Sequence, residues 1–361
     1  MHVSFYRTLE EKGLRGCPPD RDVCRTILTS PKVELLPLLS AAFAVRRKFW
    51  GRKVTVHVIN NVQNGLCAEN CSYCAQSASS KAAITRYPMK SDREILAEAR
   101  AAYRDGAFRY CMVFSGRQQG ASRISHLSRL IQTIKKRYPI EVCVSPGFVT
   151  LSEARTLKTA GLDRLNHNIN TSARYYKKIC TTHDFEARLS TLAAAQAAGL
   201  EMCSGVIVGM GESANDVIDA ALTLKKFKNV KSIPVNFFLP IKGLRLSRTS
   251  MLTPEYCLRV LCLYRFLNPN AEIRIAAGRE YHLRDLQVLG LYPANSIFLE
   301  GYLNVKGAAR ARTLQMIKDA GFSIVSEMDL DTLIARETGS CASVKNLLSI
   351  KNTRDLHPTR I

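Results

Sequence analysis

The chain has 361 residues, 46% of them hydrophobic, and a formal net charge of +22 at pH 7. This length fits either two ordinary domains or one α/β barrel, and the lack of an eighteen-residue apolar run excludes a transmembrane helix. The segment from Met1 to Glu11 has no apolar signal-peptide core, so we expect a cytoplasmic protein that does not enter a membrane.

The positive charge has two interpretations, an anionic partner such as nucleic acid or a basic solvated surface. The basic residues are scattered, and the clusters they form are short, such as Lys135-Lys136-Arg137. No zinc-finger, helix-turn-helix or RNA-stacking motif accompanies them. A basic nucleic-acid-binding protein therefore stays an alternative, but we favour a solvated surface and expect no nucleic-acid partner.

The first fifty residues are predicted to form a helical extension, because apolar residues between Lys32 and Trp50 recur at helical spacing. After residue 50, short runs of β-type residues alternate with helical patterns, which is typical of βα units on a parallel sheet. The predicted strands are Val54–Ile59, Tyr110–Phe114, Glu141–Val144, Arg164–Ile169, Met202–Val208, Ser232–Phe238, Ile273–Ala276 and Ser296–Leu299. The predicted helices are Asp92–Tyr103, Ile124–Arg137, Ser152–Ala160, Phe185–Ala198, Ala214–Phe227 and Pro254–Leu267, with N-caps at Asp92, Ser152 and Thr253.

Eight such strands with intervening helices predict an α/β fold, a (β/α)8 barrel of the TIM type over residues 51–330. The loops are uneven in length, so six strands with extensions are the alternative. Residues 331–361 are polar and basic, and we predict that they form a flexible tail outside the core.

Three of the twelve cysteines fall in one short segment, Cys67-Ala68-Glu69-Asn70-Cys71-Ser72-Tyr73-Cys74. Thiolates at C-x3-C-x2-C spacing can hold three irons of a [4Fe–4S] cube, which leaves the fourth iron free to bind a reactive ligand. Zinc is the alternative, but it usually needs four ligands in paired knuckles, and no second C-x2-C is present. The segment follows the first predicted strand, at the barrel end where catalytic residues are found.

Three more cysteines lie within predicted strands, at Cys111, Cys143 and Cys203. A single strand cysteine is more often a small buried hydrophobic residue than a ligand, but inward cysteines from three strands could meet in the barrel lumen. Arg274 lies among apolar residues of a later strand, where burial without a partner is costly. We expect it to point outward or to meet a negative group inside, such as a thiolate-bound cluster. The remaining cysteines, interpreted as structural, are Cys17, Cys24, Cys180, Cys257, Cys262 and Cys341.

From about residue 50 to about residue 330 the chain resembles the biotin synthase family of radical S-adenosylmethionine (AdoMet) enzymes, most closely the branch found in bacilli. Each motif alone is only suggestive, but their combination in this order is highly specific. The motifs are Asn64–Ser77, Tyr110-Cys111, Asn166–Thr171, Cys203–Gly205, Ile233–Asn236, Ile273–Glu280 and Ala294–Phe298.

The resemblance implies a sulfurtransferase with two iron–sulfur clusters. A radical derived from AdoMet would take hydrogen atoms from dethiobiotin, and the second cluster would supply the sulfur that closes the ring of biotin. The implied ligands of the [4Fe–4S] cube, which also binds AdoMet, are Cys67, Cys71 and Cys74. The implied ligands of a [2Fe–2S] cluster are Cys111, Cys143, Cys203 and Arg274, the last also counted as catalytic.

The resemblance also implies the residues that bind small molecules. Those expected near AdoMet are Tyr73, Asn168, Asn170 and Arg188. Those expected on the ureido ring of dethiobiotin are Asn166, Asn168 and Asn236. An amide side chain suits a ureido group because both present donors and acceptors, whereas the asparagines alone would indicate turns.

The chain departs from the family pattern at two places. Asn170 stands where some members have an aspartate, which alters the expected contact with the AdoMet ribose. The segment Ser145-Pro146-Gly147 has a proline and lacks the usual leucine, which leaves the loop after Cys143 undefined.

The family also suggests partners and an alternative activity. A flavodoxin or ferredoxin would donate electrons, and the chain would form a homodimer. The alternative is another radical AdoMet enzyme on the same scaffold, a mutase or a metallocofactor maturase. Such relatives share the cysteine loop but are not expected to keep the strand cysteines together with Arg274.

Overall fold

Parallel strands close into a barrel in the computed structural model, which describes residues 1–246 and 252–338. The strands are β1 (Lys53–Gln63), β2 (Arg109–Phe114), β3 (Glu141–Ser145), β4 (Arg164–Asn166), β5 (Met202–Cys203), β6 (Val206–Val208), β7 (Val230–Phe237), β8 (Glu272–Ile275) and β9 (Ser296–Phe298). They follow the order β1-β2-β3-β4-β5-β7-β8-β9, and β9 pairs with β1 to close the ring. Since β5 and β6 both pair with β7, they together occupy one of the eight strand positions of the barrel. This confirms the predicted (β/α)8 barrel.

Helices surround this barrel. The first three are α1 (Val3–Leu14), α2 (Arg21–Thr29) and α3 (Leu35–Trp50), and the next five are α4 (Asp92–Arg104), α5 (Gly120–Arg137), α6 (Leu151–Thr159), α7 (Ala173–Ile179) and α8 (Phe185–Ala197). The last five are α9 (Ala214–Lys225), α10 (Pro254–Leu267), α11 (Arg279–Leu283), α12 (Arg310–Asp319) and α13 (Leu330–Thr338). A 3-10 helix at Arg284–Leu291 follows α11, and a short strand β10 (Ser323–Ile324) pairs with the start of β1. In the described ranges, no helix combines the length and the apolar character that a membrane span needs.

All six predicted helices between strands form, but two of the three predicted N-caps are wrong. Helix α4 is capped by Ser91 rather than Asp92, because the Ser91 hydroxyl accepts from the backbone N–H of Glu94 and the Ser91 N–H donates to the Glu94 carboxylate. The same reciprocal capping box places the cap of α6 at Thr150 rather than Ser152. A glutamate three residues after the cap, Glu94 and Glu153, could have identified both positions from the sequence. The third predicted cap, before α10, is confirmed.

Buried arginines tie the N-terminal helices to the barrel. Arg46 of α3 is fully buried and donates to the backbone carbonyls of Ala294 and Lys53, at the amino ends of β9 and β1. Arg259 of α10 donates to two carbonyls of the segment after α2, at Ser30 and Val33. These bonds satisfy carbonyls that would otherwise be buried without a partner, so the first fifty residues cover the outside and the amino end of the barrel.

The predicted tail is described only in part. Residues up to 338 belong to α13, which packs on α12. Residues 339–361, including Cys341, lie outside the described residues. All of the residues predicted for the site fall within the described ranges.

Candidate active site

A cavity of about 280 Å³ opens where the loops after the strands converge, at the carboxyl end of the barrel. Its walls contain every residue that the sequence predicted for the cube, for AdoMet and for the ureido ring. These are Cys67, Tyr73, Cys71, Cys74, Asn166, Asn168, Asn170, Arg188 and Asn236. The structure therefore brings the members of these three predicted sets to one space.

The cysteine loop runs from the end of β1 to α4 and is held by backbone bonds to two neighbouring loops. Ser72 donates its N–H to Ile179 at 2.8 Å and accepts from Leu246 at 3.1 Å. Cys71 is buried, while Cys67 and Cys74 are half-buried. Among the described residues, these three cysteines are the ones that line the cavity, so the donor set fits a cube with one iron left for another ligand.

The residues expected near AdoMet are connected to each other. Asn170 has a φ of 67° and donates its amide to the Tyr73 hydroxyl at 2.7 Å. An asparagine tolerates this left-handed backbone better than most residues do. Arg188, from the first turn of α8, donates to the carbonyl of Asn168 at 3.1 Å and to the hydroxyl of Tyr176. A guanidinium is therefore fixed at the cavity wall where an anionic ligand group could meet it.

The three asparagines expected at the substrate are held by the backbone of adjacent strands. Asn236 donates to the carbonyl of Val206 at 2.9 Å and accepts from the N–H of Ala277 at 3.1 Å. Asn166 donates to the carbonyl of Cys203 at 3.2 Å. Such bonds fix the rotamers of these amides, which is a requirement for recognition of a small polar ring.

The gap between β5 and β6 orients the third asparagine. Gly205 lies in this gap and donates its N–H to the side-chain oxygen of Asn168 at 2.9 Å. A Cβ atom at this position would lie 1.9 Å from the backbone oxygen of Pro234, so only glycine fits here. Close packing of the β5–β6 segment against β7 thus explains the glycine of the Cys203–Gly205 motif.

The three strand cysteines meet deeper in the barrel. Cys111 of β2 lies in register with Cys143 of β3, and both belong to one buried group with Cys203 of β5. A second cavity of about 30 Å³ is lined by Cys111, Cys143 and Arg274. Asn166 and Tyr302 line both cavities, so the deep cysteines and the cysteine loop border adjoining spaces. Tyr302 was not predicted from the sequence.

Arg274 points inward, which is the second of the two orientations that the sequence allowed. Its guanidinium donates to the sulfur of Cys203 at 3.5 Å and to the hydroxyls of Ser296 and Ser232 at 3.0 Å each. It also forms an ion pair with the carboxylate of Glu272. A buried cation therefore lies against the thiols with its other donors satisfied.

Glu272 is the main residue that the sequence analysis missed. It is buried and also contacts Arg109 and His57, each at 3.2 Å. Burial raises its pKa, but the charges of Arg109, Arg274 and His57 outweigh burial and hold the pKa well below its usual value. Glu272 and Arg274 are two positions apart on β8 and face the same side, so strand periodicity could have identified the pair.

Three comparisons describe what the chain is similar to. Family models match at two places, the Radical SAM superfamily over residues 63–224 and the Biotin and Thiamin Synthesis associated domain over residues 234–323. The chain is 53% identical to a protein named biotin synthase from Magnetococcus marinus, over 88% of this chain and 98% of that one. Biotin synthases of Acaryochloris marina and Bacillus velezensis are 51% and 44% identical, over 84% and 90% of this chain and 88% and 95% of theirs.

Solved structures with the same fold include two other enzymes. A methylornithine synthase superposes with a TM-score of 0.75 at 19% identity, covering 90% of this chain and 99% of that chain. The FeFe-hydrogenase maturase HydG from Carboxydothermus hydrogenoformans has the same TM-score and identity, covering 90% and 80%. At this identity the likeness establishes the fold and no more.

Proposed function

The chain belongs to the biotin synthase family, and on that premise we propose that two iron–sulfur clusters share its barrel, one in each cysteine set. The activity itself is the radical AdoMet-dependent insertion of sulfur into dethiobiotin, which forms biotin. One observation carries the two-cluster proposal. Cys111, Cys143 and Arg274 line a space that adjoins the cavity of the cysteine loop through Asn166 and Tyr302, and the Arg274 guanidinium contacts the third cysteine, Cys203.

The upper cluster is the [4Fe–4S] cube, held by Cys67, Cys71 and Cys74. When bound, the cube supplies the electron that cleaves AdoMet and starts the radical chemistry. Arg188 would pair with the carboxylate of AdoMet, because its guanidinium lies on the cavity wall and is fixed by Tyr176 and Asn168. Asn170 and Tyr73 would bind near the ribose as a hydrogen-bonded pair.

The lower cluster is a [2Fe–2S] cluster held by Cys111, Cys143, Cys203 and Arg274, and when bound it supplies the sulfur. The fit rests on three buried thiols that share one pocket with a fixed guanidinium. A hydrogen bond with Cys143 and the positive charge of Arg274 lower the pKa of Cys203 and favour its thiolate, while hydrogen bonds to Cys111 and Cys203 raise the pKa of Cys143. Ser232, Ser296 and Glu272 hold the guanidinium in place.

Dethiobiotin would lie between the two cysteine sets. Asn166 borders both cavities, so a ureido ring bound there and at Asn236 lies within reach of both. The side-chain amides of Asn168 and Asn236 already bond to backbone groups, which fixes their orientations. The ureido ring would therefore meet donors and acceptors in fixed positions.

The electron donor is proposed to be an acidic flavodoxin or ferredoxin. Exposed basic residues surround the cysteine loop, at Lys81, Arg86, Lys242 and Arg245. Lys81 donates its backbone N–H to Gly243 at 2.8 Å, so two of the basic loops contact each other. Opposite charge would speed the encounter with a carrier and make it depend on salt. We further propose a homodimer in the cytoplasm, where reductants protect such clusters.

The experiment that tests the two clusters is anaerobic reconstitution followed by iron counting and Mössbauer spectroscopy, with biotin formation assayed on the same samples. We expect separate [4Fe–4S] and [2Fe–2S] components, and biotin only where both are present. The matched control is Cys17→Ala, which changes an exposed cysteine and should keep both components. A protein that makes biotin with no [2Fe–2S] component at any iron loading would contradict the proposal.

A further inference from the structure

A fourth cysteine lies directly behind the cysteine loop, outside the wall of the cavity. Cys180 follows α7 and is buried, and its sulfur is 3.7 Å from the sulfur of Cys71. His183 follows three positions later and is also buried. The Cys180 sulfur lies 3.4 Å from Nδ1 and 3.7 Å from Nε2 of this imidazole. Two thiols and an imidazole therefore meet here, and two of the three groups, Cys180 and His183, have no role in the two-cluster arrangement.

The spacing of these atoms fits a tetrahedral cation. With zinc–sulfur bonds near 2.3 Å, two thiolates on one tetrahedral ion are about 3.8 Å apart. With a zinc–nitrogen bond near 2.1 Å, sulfur and imidazole nitrogen are about 3.6 Å apart. The sulfurs of Cys71 and Cys180 lie 3.7 Å apart, and the Cys180 sulfur lies 3.7 Å from Nε2 of His183. One ligand atom from each of the three residues lies within 4.8 Å of the others. Small shifts would let all three reach one ion.

The surroundings of His183 resemble the support that metal-binding histidines have. Its Nδ1 lies 2.5 Å from the carboxylate of Glu69, so the carboxylate accepts the Nδ1 proton. The Nε2 lone pair then faces the Tyr176 hydroxyl and an Nη of Arg188, at 2.9 and 3.1 Å, and a bound cation would take the place of these donors. A carboxylate that fixes the tautomer in this way is the usual partner of a ligating histidine.

Glu69 is itself held, which makes the arrangement rigid. Its carboxylate pairs with Arg117 at 3.2 Å and accepts from the hydroxyl of Thr182. Its carbonyl accepts from the hydroxyl of Ser77 at 2.8 Å, within the cysteine loop. Glu69 thus connects the loop of Cys71 to the segment of Cys180 and His183. The loop that contains Cys71 therefore also orients the imidazole of His183.

We propose that Cys71, Cys180 and His183 bind one thiophilic divalent cation, such as Zn²⁺ or Fe²⁺, in the protein before the cube is assembled. The proposal rests on the proposed function in one respect, because Cys71 is also assigned to the cube. The cation and the cube therefore exclude each other at Cys71. Water would complete the tetrahedron, and an open position of this kind allows the ion to leave.

The test uses Co²⁺ as the probe, added to cluster-free full-length protein under anaerobic reducing conditions. The double variant Cys67→Ala/Cys74→Ala removes the other loop thiols and keeps the three proposed ligands. We expect it to bind one Co²⁺ per chain, with the visible bands of a tetrahedral ion and the charge-transfer band of two thiolates. No such bands in a folded double variant would overturn the proposal.

Variants in that background identify the ligands. Cys180→Ser should lose one thiolate from the charge-transfer band, whereas Cys24→Ser, at a buried cysteine of α2, should leave the spectrum unchanged. Glu69→Gln should weaken Co²⁺ binding about tenfold, as expected for loss of the carboxylate behind a histidine ligand. Circular dichroism checks the folding of each variant. A Cys180→Ser spectrum identical to that of its parent would exclude this residue as a ligand.

A second measurement tests the competition and does not depend on biotin formation. Wild-type protein loaded with one equivalent of Zn²⁺ should form the [4Fe–4S] absorbance more slowly than zinc-free protein. The Cys180→Ser variant should show a much smaller delay. A delay of equal size in both would show that zinc acts elsewhere. Failure of sulfur insertion would leave the Co²⁺ result untouched, so the two proposals fail separately.

Discussion

The two cysteine sets of the proposed centre are built in opposite ways. Cys67 and Cys74 are half-buried on one loop, and backbone bonds from neighbouring loops hold that loop in place. Cys111, Cys143 and Cys203 come from three strands, are buried, and are backed by an ion network. The upper set is thus a local motif at the surface of the barrel, and the lower set exists only once the barrel has closed.

This difference shows which of the two cysteine sets depends on the fold as a whole. Three loop residues spaced by a few positions stay near one another even in a partly folded chain. The strand set depends on the register of β2 with β3 and on the position of Arg274 across the barrel. Substitutions of the loop cysteines should therefore change activity alone. Substitutions in the ion network behind the strand cysteines should also lower the stability of the fold.

The largest effect is expected from the upper set. Cys71→Ala removes one of three thiolates from the cube, so AdoMet cleavage and biotin formation should both be lost completely. Production of 5′-deoxyadenosine under anaerobic reducing conditions measures the first activity, and a biotin assay measures the second. Cys17→Ala, which changes an exposed cysteine in the same protein, is the control and should keep both. Substantial cleavage by the Cys71 variant would remove it from the ligands.

The next effect separates the two sets. Cys203→Ala should keep some AdoMet cleavage, because the loop cysteines are untouched, but it should make no biotin. The same two assays give the ratio of 5′-deoxyadenosine to biotin, and Mössbauer spectra should lose the [2Fe–2S] component alone. Full biotin formation by this variant would mean that the strand set plays no part in sulfur insertion.

Sequence alone identified the features that depend on local spacing. The C-x3-C-x2-C pattern needs no fold to be recognised, and the alternation of β-type and helical runs identified all eight strand positions of the barrel. Helices α7, α11 and α12 were not predicted. The first two are one or two turns long, too short for a periodic pattern.

What the sequence did not identify depends on contacts across the barrel. The ion pair of Glu272 with Arg109 joins β8 to β2, which are not adjacent in the sheet. Cys180 was interpreted as structural because its neighbour Cys71 lies in a different loop. The histidine three positions later, His183, was a local signal that the sequence interpretation did not use. Tertiary pairing of this kind has no periodicity that a single sequence displays.

The network behind the lower set should control stability. Glu272→Gln keeps the size of the side chain but leaves Arg109 and Arg274 without their buried counter-charge, which should lower the free energy of unfolding by about 3 kcal/mol. The control is Glu141→Gln, because Glu141 also pairs with Arg109 but is 27% exposed, and we expect a loss of about 1 kcal/mol or less. Urea unfolding of the cluster-free proteins measures both. Equal losses would mean that burial of the pair does not matter.

The pH dependence of that loss gives a further check. The pKa of Glu272 is held well below its usual value, so its contribution to stability is present above the ordinary carboxylate pKa and is lost as pH falls. The wild-type and Glu272→Gln proteins should therefore differ most at neutral pH and converge in acid. A difference that stays constant down to acid pH would mean that the carboxylate is not the source of the stability.

The smallest effect concerns one departure from the family pattern at the upper set. Asn170→Asp keeps a side chain that tolerates the φ of 67°, and the Tyr73 hydroxyl can donate to the new carboxylate instead of accepting from the amide. A carboxylate accepts from ribose hydroxyls more strongly than an amide does, so the KM for AdoMet should fall by a factor of about 3, which corresponds to about 0.6 kcal/mol. Asn170→Ala is the matched control and should raise the KM, because it removes the side-chain acceptor. If Asn170→Asp raised the KM as much as Asn170→Ala did, the residue would act through the position of Tyr73 and not through the ribose.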